Sequence, residues 1–184
     1  METVSDTTKT AARTRFELRS ATIEDVPLIR TLIRELAEFE KLLDTCSTTE
    51  ELLAQHLFGV GSNPDQVTPQ RAAHVLIASE IATHTPVGMA LYFFNFSTFT
   101  AKPGLYLEDL YIREAYRGAG IGSMFFDRLA SIAKDAGCAR MEWSVLDWNE
   151  RARSFYKSLD AKEMEGWLIC RLDEQALQAF PRNQ

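Results

Sequence analysis

The sequence predicts an α/β (α+β) domain built on a mixed central sheet of about six to seven strands, with helices on both of its faces. Three observations point there. Short apolar and aromatic runs, broken by turn residues, fill the middle of the chain. Amphipathic stretches at helical spacing lie on either side of them. The strands that begin at Leu105 and Arg140 flank one helix, so the right-handed crossover rule makes them parallel neighbours, whereas the strands joined by short turns are antiparallel.

The elements follow in order. FELRS, residues 16–20, is short and alternating and reads as the first strand. Thr22 caps the first helix with Asp25 at the return position, and Val26, Ile29, Leu32, Ile33, Leu36 and Ala37 form its apolar stripe. Ser47, Thr48, Thr49 and Glu50 form a second capping box ahead of Leu52, Leu53 and Leu57. Residues 58–70 hold Gly59, Gly61, Asn63, Pro64 and Pro69 and read as a loop. Residues 74–81 and 88–96 are strands around the turn THTPVG. A loop over 97–104 leads to a strand over 105–112. Residues 121–136 form an amphipathic helix carrying Ile121, Phe125, Leu129, Ile132 and Ala136, and Gly137 stops it. A strand over 140–146, a helix over 149–159 capped by Asn149, a strand over 167–172 and a short helix over 173–180 complete the order β-α-α-β-β-β-α-β-α-β.

The 184 residues suit one domain, expected from residue 16 to 184 behind a polar, disordered tail over 1–15. The tail has no apolar h-region, and no apolar run nears the ~20 residues that cross a bilayer, so no membrane association is expected. Net charge is −6 without a basic stripe, which argues against nucleic acid and favours cationic small molecules. Cys46, Cys138 and Cys170 are odd in number and far apart, as expected in a reducing, cytoplasmic setting without a disulfide framework. Cys138 reads as a structural thiol, not as an acyl carrier, since no His stands near it. His56, His74 and His84 lack metal-ligand spacing, so no metal is expected.

The strongest local signal is a strand, then Tyr116 and RGAGIG at 117–122, then a helix. Glycines let backbone approach a phosphate, the first helical turn offers N–H groups, and Arg117 adds fixed charge. The alternative is a tight turn with no ligand. A dinucleotide fingerprint would need glycine where Ser123 stands, and a Walker A loop would end in Gly-Lys-Ser/Thr, which is missing.

The motif R-x-x-G-x-G between strand and helix resembles the acetyl-CoA motif of the GNAT acetyltransferase superfamily, and the strand order resembles its fold. The blocks IRELAEFE at 33–40, LYLED at 105–109, YRGAGIGS at 116–123, WNE at 148–150, SFYK at 154–157 and EGW at 165–167 are similar to spermidine/spermine (diamine) N-acetyltransferases and their thialysine-acetylating relatives. The likeness runs from about residue 16 to residue 180. It implies an enzyme that moves an acetyl group from acetyl-CoA, as co-substrate, to a primary amine of a small cation by direct attack in a ternary complex.

That chemistry needs a deprotonated amine, donors for the thioester oxygen and an acid for the leaving thiolate. The resemblance gives the acid role to Tyr156, with Phe155 expected in the core. Glu108 and Asp109 are adjacent in a strand and so are expected on opposite faces; the resemblance turns Glu108 to the amine as the proton acceptor, against the alternative of a structural ion pair. By the same resemblance Leu110, Tyr111 and Ile112 free backbone N–H groups, Gly118, Ala119, Gly120, Ile121, Gly122 and Ser123 with Arg117 hold the pyrophosphate, and Asn149, Arg151, Ala152 and Tyr156 contact the CoA arm. The amine pocket carries over to Phe39, Glu40, Glu108, Glu142, Trp143, Ser144 and Glu165. Thr98 departs from an acidic residue of polyamine-type members, and Asp160 from a usual glycine, which keeps thialysine-like and other small amines in play beside polyamines. The resemblance also implies a homodimer, for which the aromatic strand over 91–96 is suited. Protein lysine acetylation and a non-catalytic acyl-CoA-binding module are the other readings.

Overall fold

The computed structural model describes residues 6–61 and 71–180, which belong to two compact units, Met1–Leu146 and Asp147–Gln184. The first unit holds α1 (Asp6–Arg15), β1 (Phe16–Ser20), α2 (Val26–Phe39), α3 (Glu50–Phe58), β2 (His74–Glu80), β3 (Pro86–Ser97), β4 (Lys102–Ile112), α4 (Ile121–Asp135) and β5 (Met141–Trp143). The second holds α5 (Glu150–Ser158) and the short α6 (Glu174–Gln178).

The sheet has five strands in the order β1-β2-β3-β4-β5. Every neighbouring pair is antiparallel except β4 and β5, which are parallel across the α4 crossover. On one face, Ile29, Leu32 and Leu36 of α2 and Leu57 of α3 form a buried cluster with Val75, Ile77, Met89 and Tyr111. On the other lies α4, where Phe126 meets Trp143 edge-on with ring centres 5.0 Å apart. Phe125 and Leu129 of α4 are fully buried, each contributing about 1.5–3 kcal/mol from the apolar surface removed from water. Gly88 of β3 packs against the carbonyl of Tyr111, where a Cβ would overlap the oxygen. This close approach holds the end of β4 against β3.

The caps explain the helix starts. The Thr22 N–H donates to Asp25 Oδ2 at 2.8 Å, closing a 3-10 turn over Ile23–Asp25 that leads into α2. Asp25 is further gripped by both terminal nitrogens of Arg19, each at 2.6 Å, which holds its carboxyl down at about 2. At α3 the cap is Thr49, whose hydroxyl accepts from the Leu52 N–H at 3.2 Å; the expected box beginning at Ser47 starts two residues too early. Gly137 takes φ 69 after α4, and Cys138 N–H reaches back to the Ala133 carbonyl at 2.8 Å, so the helix stops where expected.

Four expectations need correction. The polar tail is helical over Asp6–Arg15: Ala12 is buried, Arg13 bonds Asp127 of α4 at 2.8 Å and Arg15 bonds Glu80 of β2 at 2.9 Å, so a small apolar contact and two ion pairs anchor a segment that composition alone marks as unstructured. Residues 167–172 form no strand. The run is largely apolar, but no ladder partner meets it among the described residues, and Trp167, Leu168 and Ile169 are exposed. The sheet therefore has five strands, not six or seven. The fifth is only Met141–Trp143, because its pairing with β4 ends at Leu107, next to an irregularity in β4. The expected loop at 58–70 begins at Gly59, which is left-handed and caps α3; its Asn63, Pro64 and Pro69 lie outside the described residues.

Candidate active site

Strand β4 organises the site. Its ladder with β3 steps from the pair Tyr92 and Leu107 to the pair Leu91 and Asp109, leaving Glu108 as the extra residue of a bulge. The bulge shifts the alternation by one. Tyr106 pairs with Phe93, and Tyr111 with Met89, so both tyrosines lie on the α2 face although five positions separate them. Asp109 pairs with Leu91 on that same face. The expectation that Glu108 and Asp109 point to opposite faces assumed an unbroken strand and does not hold.

Asp109 is the more enclosed of the two carboxylates, and Glu108 is exposed. Burial first, then the charges of Glu108 and Glu40, push the Asp109 carboxyl up to about 6. Glu40, at the C-cap of α2, is also raised, by burial. The charges of Glu108 and Glu40 thus both reach Asp109 beside β4, a field that favours a cation. Asp109 is the residue that sequence reasoning missed. Its only signal was adjacency to Glu108, and the bulge that turns it inward has no composition signature.

Beyond Leu107, β4 has no ladder partner on its β5 side among the described residues, while it stays paired to β3 as far as Ile112. This is the stretch of Leu110, Tyr111 and Ile112, and it leads straight to the Gly-rich turn. A 3-10 turn over Glu114–Tyr116 is followed by Gly118 at φ 87 and Gly120 at φ 86, both left-handed, as glycine alone adopts readily. Gly120 is the N-cap of α4, and no acidic residue stands in the first helical turn. Ala119, Ile121, Gly122 and Ser123 continue the segment, with Ile121 and Ser123 buried. The left-handed glycines, the start of a 15-residue helix and Arg117 form a donor set that fits an anion.

Arg117 is also engaged inward. Its Nε donates to the Ile112 carbonyl at 2.9 Å, and its guanidinium lies 4.5 Å over the Phe39 ring and 5.8 Å from the Tyr111 ring. Four residues earlier, Arg113 grips Glu35 of α2 through Nε at 2.9 Å and Nη2 at 2.7 Å, and its Nη1 bonds the Pro86 carbonyl at 2.8 Å. The turn is therefore fastened to α2 at two places.

The other expected pocket residues of this unit separate. Glu142 is paired with Arg140 at 2.8 Å and accepts from Asn95 Nδ2 at 3.4 Å, so its charge is already met. Trp143 packs on Phe126, on the α4 face and away from Asp109. Ser144 Oγ shares a hydrogen bond with the Tyr106 hydroxyl at 2.9 Å. Thr98 is exposed at the end of β3.

In the second unit, Asn149 caps α5: its Oδ1 accepts from the Ala152 N–H at 3.1 Å, which commits that donor to the helix start. Arg151 is exposed. Arg153 braces the same end, holding Glu163 through two nitrogens at 2.8 and 2.9 Å and the Asp147 carbonyl at 3.0 Å. Phe155 and Tyr156 are both half-buried with ring centres 5.6 Å apart, so Phe155 is not the fully buried partner that was expected. Desolvation pushes the Tyr156 hydroxyl up to about 12. Asp160 ends α5 at φ 61, with its own N–H on the Lys157 carbonyl at 3.1 Å and that of Ala161 on the Tyr156 carbonyl at 3.2 Å. This is the left-handed closure that glycine favours, which gives the departure at Asp160 its physical meaning. Glu165 is exposed. Among the described residues no three His, Cys, Asp or Glu side chains are grouped to hold a metal, and no helix is long and apolar enough to cross a membrane.

Residues 32–160 match the Acetyltransferase (GNAT) family. A thialysine N-epsilon-acetyltransferase of Bos taurus is 39% identical over 169 residues, covering 87% of this chain and 94% of that protein. The L-ornithine N5-acetyltransferase NATA1 of Arabidopsis thaliana is 32% identical, covering 98% and 94%. A spermidine/spermine N(1)-acetyltransferase-like protein 1 of Homo sapiens is 36% identical over 88% of this chain but only 23% of its own length. Among solved structures, an integron cassette protein from V. cholerae superposes with a TM-score of 0.71 at 23% identity, covering 92% of this chain and 99% of that one. A match of this extent, on a fold with this sheet order and this Gly-rich turn, makes the chain a member of the GNAT acetyltransferase family and an N-acetyltransferase.

Proposed function

We propose that the protein transfers the acetyl group of acetyl-CoA to a primary amine of a small cation, a diamine, polyamine or thialysine-like amino acid, by direct attack in a ternary complex. The observation that carries this reading is the grouping of Asp109, Glu108 and Glu40 beside the unpaired stretch of β4 that runs into the Gly-rich turn. Relatives named for thialysine, ornithine and spermidine or spermine support the acceptor class.

In this reading Arg117 and the backbone of Gly118, Ala119, Gly120, Ile121, Gly122 and Ser123 hold the pyrophosphate, and Leu110, Tyr111 and Ile112 offer backbone donors. Acetyl-CoA supplies an activated acyl group as a thioester. The carboxylates do the rest of the work on the amine. An alkylammonium has a pKa near ~10.4 and no lone pair, so it must lose a proton before it attacks. Glu108 is exposed and suited to pass that proton to water, while Asp109 and Glu40 hold the cation. Tyr156 keeps its proton at neutral pH and is assigned as the acid for the thiolate, by the family likeness. Asn149 and Arg151 are assigned to the CoA arm on the same ground, and Glu165 to the far end of the amine. Glu142 and Trp143 drop out of the amine pocket, since one is neutralised by Arg140 and the other faces α4. The reading includes a homodimer in the cytoplasm.

Initial-velocity patterns test direct transfer. Lines that intersect when amine and acetyl-CoA are varied together are expected. Parallel lines, with acetyl retained on the protein after gel filtration, would sink the ternary-complex mechanism.

A further inference from the structure

We propose that Arg113 and Arg117 form a two-rung clasp that couples ligand binding at the Gly-rich turn to the position of Phe39 and Glu40, so that acyl donor and amine bind with positive cooperativity. This rests on the function proposed above. Glu35 and Phe39 are one helical turn apart on α2 and so face the same way. Arg113 and Arg117 have the same separation across the 3-10 turn Glu114–Tyr116. The first rung is a two-point ion pair between half-buried groups, at 2.9 and 2.7 Å, and it fixes the axis of α2 against the end of β4. The second rung is of another kind. The Arg117 guanidinium carbon lies over the Phe39 ring at 4.5 Å, and its Nε donates to the Ile112 carbonyl at 2.9 Å.

Neither Nη group of Arg117 has a protein acceptor among the described residues, so an anion seated in the turn is matched by donors that Phe39 and Ile112 have already oriented. The anion in turn fixes the guanidinium plane, and with it the ring of Phe39 and the carboxylate that follows at Glu40. Glu40 is one of the two groups whose charge raises Asp109, so the clasp reaches the carboxylate cluster directly. Each ligand thereby stiffens the segment the other uses, and linkage requires the effect to be reciprocal.

The test has two readings of one binding experiment. In the wild type, saturating CoA should slow amide hydrogen exchange of residues 36–40 by about 5-fold or more, and lower the dissociation constant of an accepted amine by a similar factor. Arg117→Lys keeps the charge for a phosphate but loses the flat face; at a CoA concentration that saturates the variant it should lose both effects. Phe39→Leu should lose them too, and Phe39→Tyr should keep them. CoA binding without slowed exchange in the wild type would overturn the clasp and leave the proposed function standing. So would equal slowing in Arg117→Lys or Phe39→Leu. Should Arg117→Lys fail to bind CoA, Phe39→Leu decides, because it leaves the Arg117 charge in place. A wild type that binds no CoA would remove both the proposed function and the clasp.

Discussion

Asp109→Asn should make the protein more stable and less active. The carboxyl titrates near 6 in the fold against an ordinary 3.8, through burial and the neighbouring charges of Glu108 and Glu40. At about 1.4 kcal/mol per pKa unit, keeping it ionised at neutral pH costs the fold about 3 kcal/mol. The sign follows from the direction. A carboxyl whose folded pKa is raised stabilises the fold most when protonated, below about 4, and this contribution disappears as pH rises through 6. Asparagine keeps the shape and cannot ionise. In urea unfolding the variant should exceed the wild type by up to about 3 kcal/mol at pH 7.5, and the gap should close between pH 6 and 4. The same variant should lose kcat/KM for the amine by about 100-fold, since the cation loses a partner. A stability gap that does not change with pH, or an Asn variant that is the less stable at pH 7.5, would refute the reasoning.

Three further outcomes are expected. Tyr156→Phe should lower turnover by about 100-fold with little change in CoA affinity by calorimetry, and an unchanged rate would retire Tyr156 as the acid. Asp160→Gly should raise stability by about 0.5–1 kcal/mol in thermal unfolding, because the residue sits at φ 61 in a left-handed closure; a lower melting temperature would contradict that account. Asp25 shows the opposite pH sign to Asp109: Arg19 holds its carboxyl at about 2, so its stabilising contribution is present above about 4 and is lost as pH falls through 2. Asp25→Asn should therefore cost about 2 kcal/mol at neutral pH, less than the full shift implies because Arg19 is half exposed, and almost nothing at pH 2.

The architecture was legible where local rules decide it. Apolar periodicity marked α2 and α4, Gly137 marked the end of α4, and the crossover rule gave the parallel pairing of β4 with β5. It failed where long-range partners decide. Residues 167–172 have a strand's apolar content but no ladder among the described residues, and the polar run at Asp6–Arg15 is held by contacts with α4 that its composition does not announce. In the site, the Gly-rich turn could be named from the sequence because its glycines and Arg117 stand between strand and helix, whereas Glu40 and Glu108 were reached through the family resemblance and Asp109 was given no role. The roles within the set were not readable. A single extra residue in β4 turns Asp109 toward α2, Arg140 claims Glu142, and Trp143 belongs to the α4 face. Each depends on a partner far along the chain.

Thiol release from acetyl-CoA tests the central claim most directly, measured across spermidine, spermine, putrescine, thialysine, ornithine, lysine and a histone-tail peptide. The account predicts rapid release with at least one of the small cationic amines and little with the peptide. Tight CoA binding with no release for any amine would contradict it, as would turnover confined to the peptide.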